Sequence, residues 1–385
     1  MSKIAVLGAS GFVGSTLAED LIAEDMDVRC LIHSSGNAWR LARHGIELKM
    51  VDLMNRQSVR EAISGCTHVV NCARGKSQTL LKGMSNLLYA CEKEKTQRLV
   101  HISSVAVYGN QCDSTLISED HPASPVKDSY GWSKLQQDQM IARAVKSGLS
   151  AVVLCPPNIS GPYSLFLDEI CKAIQSGAFA WVDGGRFPCP LVDVGNLVHA
   201  IKLGLKAEKT DGRRIFISDE PTACWHQVGE SLSRILGLET NFQNLTIDEA
   251  KNYTQAQPLP AGSVKKTIGH LVSSNVRASL RQDPYIGAVE KTVVGLAKRL
   301  PEGIQERLRD DVRKVKPRRN QGDGLALRLV SQQLRNTTYS ADRAKAILGY
   351  HPIHGYEESM IRFEHFAKLH FGLGSNSYAM LRKLG

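Results

Sequence analysis

One short stretch, GASGFVG at positions 8 to 14, constrains this chain more than any other. It follows the apolar run Ile4 to Leu7 and leads into apolar residues at helical spacing: Phe12, Val13, Leu17, Leu21 and Ile22. That order predicts a strand, a glycine turn and a helix. Gly8 permits the tight turn, Gly11 lets backbone approach a pyrophosphate, and Gly14 lets helix and strand pack closely. Free N–H groups at the helix start then face phosphate. Gly8, Ser10, Gly11, Phe12, Val13 and Gly14 are therefore the expected cofactor contacts of this turn.

Strand candidates recur downstream in DVRCLIH, IELKMVD, THVVNCA, RLVHISS and AVVLCPP, separated by helical stretches such as RQSVREAISG and MSNLLYACEKEK. The alternation predicts an α/β fold, a doubly wound parallel sheet of Rossmann type with helices on both faces. Ligands of such sheets bind at the strands' carboxyl ends, where Gly8, His33, Asp52, Cys72, Ser104 and Pro156 would gather.

Composition narrows the class. Of 385 residues, 42% are hydrophobic and 22% charged, as in a folded soluble protein. No apolar run approaches the roughly 18 residues of a membrane span. The start does not read as a secretory leader, so a cytoplasmic location is expected. Nine scattered cysteines without a close pair point to reduced thiols, most of them in the core, and to no metal site. The net charge of +10 lies entirely in 251–335, where 17 Lys and Arg face 7 Asp and Glu.

The cofactor's form depends on the end of the second strand, VRCLIHSS. An NAD site commonly places an acid there to bond the adenosine ribose. Here stand His33, Ser34 and Ser35, with Arg40 and Arg43 nearby, so hydroxyls and guanidinium groups favour NADP over NAD. Further on, LVHISSVAVYGN is a strand ending in serines, and DSYGWSKLQQDQ opens a helix with Tyr130 and Lys134 one turn apart. Ser104, Tyr130 and Lys134 can meet over the nicotinamide.

With these residues in place, the chain resembles the extended short-chain dehydrogenases/reductases, the NAD-dependent epimerase/dehydratase family. The matching stretches are GASGFVG, VDL at 51–53, ISSVAVYG, Tyr130 with Lys134, LCPPNISGP, PLVDVGNLVHAI and YSADRAKAILGYHP, in family order. The resemblance implies hydride transfer between a secondary alcohol and nicotinamide. Tyr130 serves as acid and base, Lys134 favours its phenolate, and Ser104 holds the reacting oxygen. A tyrosine of ordinary pKa about 10 must shift by roughly three units, or about 4 kcal/mol, to act near neutrality. The resemblance also implies that Asp52 and Leu53 contact the adenine, Cys72 and Ala73 the middle of the cofactor, Pro156 and Pro157 the nicotinamide region, and Asn158 the substrate.

Departures from the family pattern are informative. Sugar dehydratases carry an acidic pair after the catalytic hydroxyl residue, whereas Val105 and Ala106 follow Ser104, which argues against dehydration. The asparagine of the usual water relay is replaced by Leu80. Cys155 stands for a common arginine, and Gly195 for a common acid.

From Asn158 onward the chain is expected to build a smaller, mainly helical substrate domain. It would take 158–189 and 236–385, with 190–235 returning to the cofactor domain of 1–157 and a basic helical insertion at about 251–335. Apolar residues at helical spacing across 285–319 suit a second subunit in a homodimer, or peripheral contact with the anionic inner membrane face. Nucleic acid is not expected, because no aromatic residues interleave with the basic run. The leading expectation is an NADP- or NAD-dependent oxidoreductase or epimerase acting on a nucleotide- or lipid-linked sugar. A steroid-like alcohol dehydrogenase or carbonyl reductase is the alternative. A noncatalytic NAD(P)-binding scaffold is the reading from another class, with Leu80 in its favour and the intact Ser104, Tyr130 and Lys134 against it.

Overall fold

The computed structural model describes residues 3–34, 38–109, 116–208, 211–256 and 324–370. The first part alternates β1 (Ile4–Leu7), α1 (Phe12–Ala23), β2 (Val28–Ile32), α2 (Trp39–Ala42), β3 (Glu47–Met50), α3 (Arg56–Ile63), β4 (His68–Asn71), α4 (Ser77–Lys93) and β5 (Arg98–Ile102). After β6 (Leu116–Ile117) come α5 (Tyr130–Lys146) and β7 (Ala151–Cys155). With β11 (Arg214–Phe216), the long strands form one parallel sheet of seven, in the order β11-β7-β5-β4-β1-β2-β3.

Burial on both faces explains the apolar strands. In β1, Ile4 and Val6 join a core with Leu17 and Leu21 of α1 and Leu197 and Ile201 of α7 (Val194–Lys206). Ala5 and Leu7 point to the other face and pack with Val59, Met84 and Ile141 of α3, α4 and α5. The strand order reverses beside β1: its chain continues to β2 on one side, while β4 lies on the other. Such a switch point opens a crevice at the carboxyl ends of the strands.

Beyond β7 the chain builds a second layer. It contains β8 (Asn158–Ser160), α6 (Leu165–Ser176), β9 (Ala180–Val182), β10 (Leu191–Asp193), α8 (Trp225–Leu236), β12 (Gln243–Leu245) and α9 (Ile247–Ala256). After residue 323 follow α10 (Leu327–Gln333), β13 (Thr338–Tyr339), α11 (Asp342–Leu348) and α12 (Tyr356–His370). Phe166, Ile170, Trp181, Trp225, Leu232 and Phe363 form its apolar centre. Three parallel pairs of short strands, β8 with β10, β9 with β12 and β6 with β13, tie distant segments together.

Buried polar groups fix this layer to the sheet. The Asn196 oxygen accepts from the N–H groups of Ile353 and His354 at 2.8 and 2.9 Å, and its amide donates to Asp219 at 2.7 Å. Burial raises Asp219 to about 7, against the bond from Asn196. Asp193 is fully buried and accepts from Ser359 at 2.6 Å and Arg362 at 3.0 Å. Among the described residues no helix is long and apolar enough to cross a membrane, and no group of side chains is placed to hold a metal. The stripe at 285–319 lies outside the described residues.

Candidate active site

The crevice is a cleft of about 970 Å³. Its floor begins at Gly8, whose φ of +74° turns β1 toward α1. A Cβ on Gly14 would stand 2.2 Å from the Gly8 carbonyl oxygen, so this glycine serves helix packing and does not itself line the cleft. A Cβ on Gly8 would meet the backbone of Cys72 and Ala73 at 3.0 Å. Only glycines let these three segments close into a cradle, and the free N–H groups at the start of α1 face it. A dinucleotide fits both this donor set and the volume.

Of the residues expected from sequence, Gly8, Ser10, Gly11, Phe12, Val13, His33, Asp52, Leu53, Cys72, Ala73, Ser104, Tyr130, Lys134, Pro156, Pro157 and Asn158 line this one cleft. Arg40 does not. It is 9% exposed, bonds Glu19 of α1 at 2.5 Å, and stacks on Tyr163 at 4.0 Å. Arg43 also pairs with Glu19, at 3.2 Å. Ser34 is half-buried and outside the lining, and Ser35 lies outside the described residues.

Ser129 caps α5 by accepting from the Trp132 N–H at 3.1 Å, which makes Tyr130 the first residue of the helix. The sequence SYGWSK is thus at once a helix start and a meeting point of polar groups. Gly131 permits that meeting: a Cβ there would lie 2.1 Å from the Ala106 carbonyl oxygen. Ala106 belongs to the short 3-10 turn after Ser104, and Ser104 Oγ accepts from its N–H at 3.2 Å.

Lys134 is 2% exposed, donates from Nζ to the Ile102 carbonyl at 2.9 Å, and lies 5.8 Å from the Tyr130 ring centre. Burial lowers it to about 8, against the pull of Asp138 and Cys72. Tyr130 is 40% exposed through the cleft mouth. Enclosure by protein on its other sides raises its pKa, and Arg74, 5.8 Å from the ring centre, works in the opposite direction. In the protein alone, therefore, the phenol remains protonated at neutrality.

Sequence reasoning missed several neighbours. Arg74 and Thr79 form the wall that the short loop after Ala73 creates. Asp138, one turn beyond Lys134, is buried and accepts from Ser103 at 2.9 Å, with Arg214 at 3.7 Å. Burial raises Asp138 to about 6, while Ser103, Arg214 and Lys134 oppose the shift. Leu80, at the relay position, is buried, and its carbonyl accepts from Gln137 of α5 at 2.8 Å. The one signal available beforehand was spacing: residues 130, 134 and 138 share a helix face. At the far end of the cleft Leu165, Phe166, Glu169 and Arg328 complete the lining, with Arg328 paired to Glu169 at 2.6 Å.

The model of the NAD-dependent epimerase/dehydratase family matches residues 4–217, more than half of the chain. The chain belongs to that family. It is an enzyme of the NAD(P)-dependent epimerase, dehydratase and reductase type. A ketoreductase of Stigmatella aurantiaca, acting on 4-hydroxy-2-methyl-3-oxo-4-farnesyl-3,4-dihydroquinoline-1-oxide, is 28% identical over 55% of this chain and 66% of its own length. The decarboxylating sterol-4-alpha-carboxylate 3-dehydrogenase of Dictyostelium discoideum is 25% identical over 64% of this chain and 80% of its own. The first of these relatives is thus covered over just under two thirds of its length. The UDP-glucuronic acid 4-epimerase of Bacillus cereus, solved with NAD, superposes with a TM-score of 0.65 over 97% of this chain and 99% of that one, at 16% identity, and shares the fold.

Proposed function

We propose that this protein moves a hydride between a nicotinamide cofactor and the carbinol carbon of a secondary alcohol, or back to the corresponding ketone. The observation that carries the reading is the convergence of Ser104, Tyr130 and Lys134 on one cleft with the Gly8 turn. A bound dinucleotide would be held by the Gly8 turn and the start of α1, and its nicotinamide would supply the hydride acceptor or donor. The protein's groups handle the proton. Ser104 donates to the reacting oxygen, Tyr130 takes or returns the proton at that oxygen, and the Lys134 ammonium, fixed on the Ile102 carbonyl, favours the phenolate. In this reading residues 1–157, with α7 and β11 of the stretch 190–235, carry the cofactor, whereas α8 of that stretch packs with 158–189 and 236–385 on the substrate side.

For the cofactor we keep NADP ahead of NAD. The support is His33, a nonacidic residue lining the cleft at the end of β2. Arg40 and Arg43 add little, because both are engaged by Glu19. For the substrate we keep a nucleotide- or lipid-linked sugar, in line with the epimerase family match; Arg328 at the far end of the cleft adds little, because Glu169 engages it. Leu165 and Phe166 beside it favour the second reading, a hydrophobic alcohol of the sterol or farnesyl-quinoline kind on which the curated relatives act. The absence of acids at Val105 and Ala106 supports simple redox or epimerisation over dehydration.

Tyr130→Phe tests the reading. Turnover of cofactor at 340 nm with an alcohol or ketone that the wild type accepts should fall by about 10²-fold or more, the scale of lost acid–base catalysis. NAD(P)H binding, followed by fluorescence, should hold. Undiminished turnover in this variant would remove Tyr130 from the mechanism.

A further inference from the structure

A buried carboxylate stands one turn beyond the lysine of the cleft. Asp138 and Lys134 share one face of α5, at 5% and 2% exposure. Hydrogen bonding accounts for only part of that carboxylate. The Ser103 hydroxyl donates to Oδ2 at 2.9 Å, while Oδ1 is buried and meets no donor among the described residues. A half-satisfied carboxylate in the interior costs free energy, so its charge needs another reason. Arg214 Nη1 lies 3.7 Å from Oδ2. That guanidinium is fixed from outside: its Nε donates to the Tyr108 hydroxyl at 2.9 Å, and Arg343 donates to the Arg214 carbonyl at 3.2 Å. The Lys134 ammonium is less well provided, since Nζ donates to the Ile102 carbonyl at 2.9 Å, a dipole and not a charge. At the relay position Leu80 has no polar side chain to offer, and its carbonyl is engaged by Gln137 at 2.8 Å.

The other groups that face Lys134 supply no negative charge. His101 of β5 is fully buried and held neutral. Cys72, after β4, and Cys155, the last residue of β7, are thiols that burial pushes upward, so both stay protonated. Tyr130 is a phenol with a raised pKa, and Arg74 is itself a cation. Asp138 differs from all of these. Burial raises it only to about 6, because Ser103, Arg214 and Lys134 favour its charged form, and it is ionised at neutrality. Burial can lower an ammonium to about 5 or 6 when nothing opposes it. Lys134 is lowered only to about 8, with Asp138 pulling the other way.

We infer that Asp138 is the counter-charge of Lys134, a positioning residue that keeps the buried ammonium charged at neutral pH so that it can favour the Tyr130 phenolate. The inference rests on the hydride-transfer reading only for its consequence in turnover; the coupling of the two charges belongs to the protein alone. Asp138 acts across space and not by contact, since Nζ is bonded to Ile102 and Oδ2 to Ser103. Its effect on Lys134 therefore belongs at the lower end of what a neighbouring opposite charge produces, about one pH unit. A purely structural Asp138 would hold Ser103 at the end of β5 and leave the lysine's proton untouched.

The test is an NMR pH titration of the full chain without cofactor, carrying isotope-labelled lysine, with the Lys134 signal assigned as the one missing from Lys134→Met. In wild type that signal should titrate near pH 8. In Asp138→Asn it should titrate lower by about one pH unit or more. Asp138→Ser carries the same prediction if the amide variant is not recovered folded. Asp138→Glu, which keeps the charge, should restore at least about half of the difference. Ser103→Ala, which removes the hydrogen bond and leaves the charge, should stay close to wild type. With a ketone that wild type reduces, Asp138→Asn should lose about fivefold in turnover at about pH 8, where roughly a tenth of Lys134 would be charged in place of half, and less than about twofold at about pH 6. A Lys134 signal that titrates alike in wild type and the neutral variants, a Ser103→Ala difference as large as theirs, or a loss of turnover equal at both pH values would each overturn the assignment. Those results leave the hydride reading intact, since that reading fails separately if wild-type protein binds no cofactor or if Tyr130→Phe turns over normally.

Discussion

Adding one methyl group at Gly131 should disable the enzyme without unfolding it. The Cβ of Gly131→Ala would sit 2.1 Å from the Ala106 carbonyl oxygen, 2.8 Å from its carbon and 3.3 Å from Pro125 Cβ. A relaxed carbon–oxygen contact is a little over 3 Å, so helix and turn must part by about 1 Å, because backbone atoms cannot rotate away as a side chain can. Overpacking of this kind costs about 1–3 kcal/mol, and Ala in place of Gly within a helix returns about 1 kcal/mol. The net loss is then about 0–2 kcal/mol, which a urea titration can read. Catalysis is more exposed. Tyr130 is the neighbouring residue on the helix and Ser104 is bonded to the displaced turn, so the two groups separate together, and a misplacement of about 1 Å can cost about 10²-fold. The assay is kcat for the substrate that wild type turns over, beside the Kd for NADH, which should hold because the cradle at Gly8 is untouched. A variant with kcat within threefold of wild type would refute the argument that this close approach aligns the pair.

Other consequences are equally open to measurement. Gly14→Ala pushes α1 off the Gly8 carbonyl and should weaken NADH binding by tenfold or more, read by fluorescence, with the fold retained. His33→Asp places a carboxylate where an adenosine 2′-phosphate would lie, and NADPH binding should weaken while NADH binding improves. Lys134 has a folded pKa lowered to about 8 by burial, below its unfolded value of 10.5. The penalty, about 3 kcal/mol at 1.36 kcal/mol per pH unit, is therefore complete below pH 8 and is relieved as pH rises to 10.5, where the unfolded chain holds the proton that the native one has released. Wild type should accordingly gain stability relative to Lys134→Met across that window, as seen by paired urea titrations; parallel curves would deny that the ammonium is buried at a cost.

What could be read from the sequence follows from the range of the forces involved. The long strands declared themselves because both faces of a parallel sheet are buried, leaving uninterrupted runs such as Ala151 to Cys155. The glycine turn and the start of α5 are local patterns, and local patterns survive in one dimension. The pairing of Arg40 was not legible because guanidinium chemistry is visible in a sequence whereas its partner is not: Glu19 lies 21 positions earlier and meets it only in the fold. The strand pairs β8 with β10 and β9 with β12 span three residues each and join segments far apart, so no periodicity could mark them. The basic stripe at 285–319 remains an expectation from composition and spacing.

The Tyr253 hydroxyl donates to the Leu325 carbonyl at 2.8 Å, and Gln333 ties α10 to both neighbours of Trp181 in β9 through bonds of 3.0 and 2.7 Å. The two ends of the segment between residues 257 and 323 are thus pinned together beside β9. Closing a loop between fixed ends costs free energy that grows only with the logarithm of its length. An exchange of that segment for a short glycine-serine bridge should accordingly leave α9 and α10 in position. The hydrogen bond at its base lets the flanking elements α9 and α10 hold their places whatever the length of chain between them.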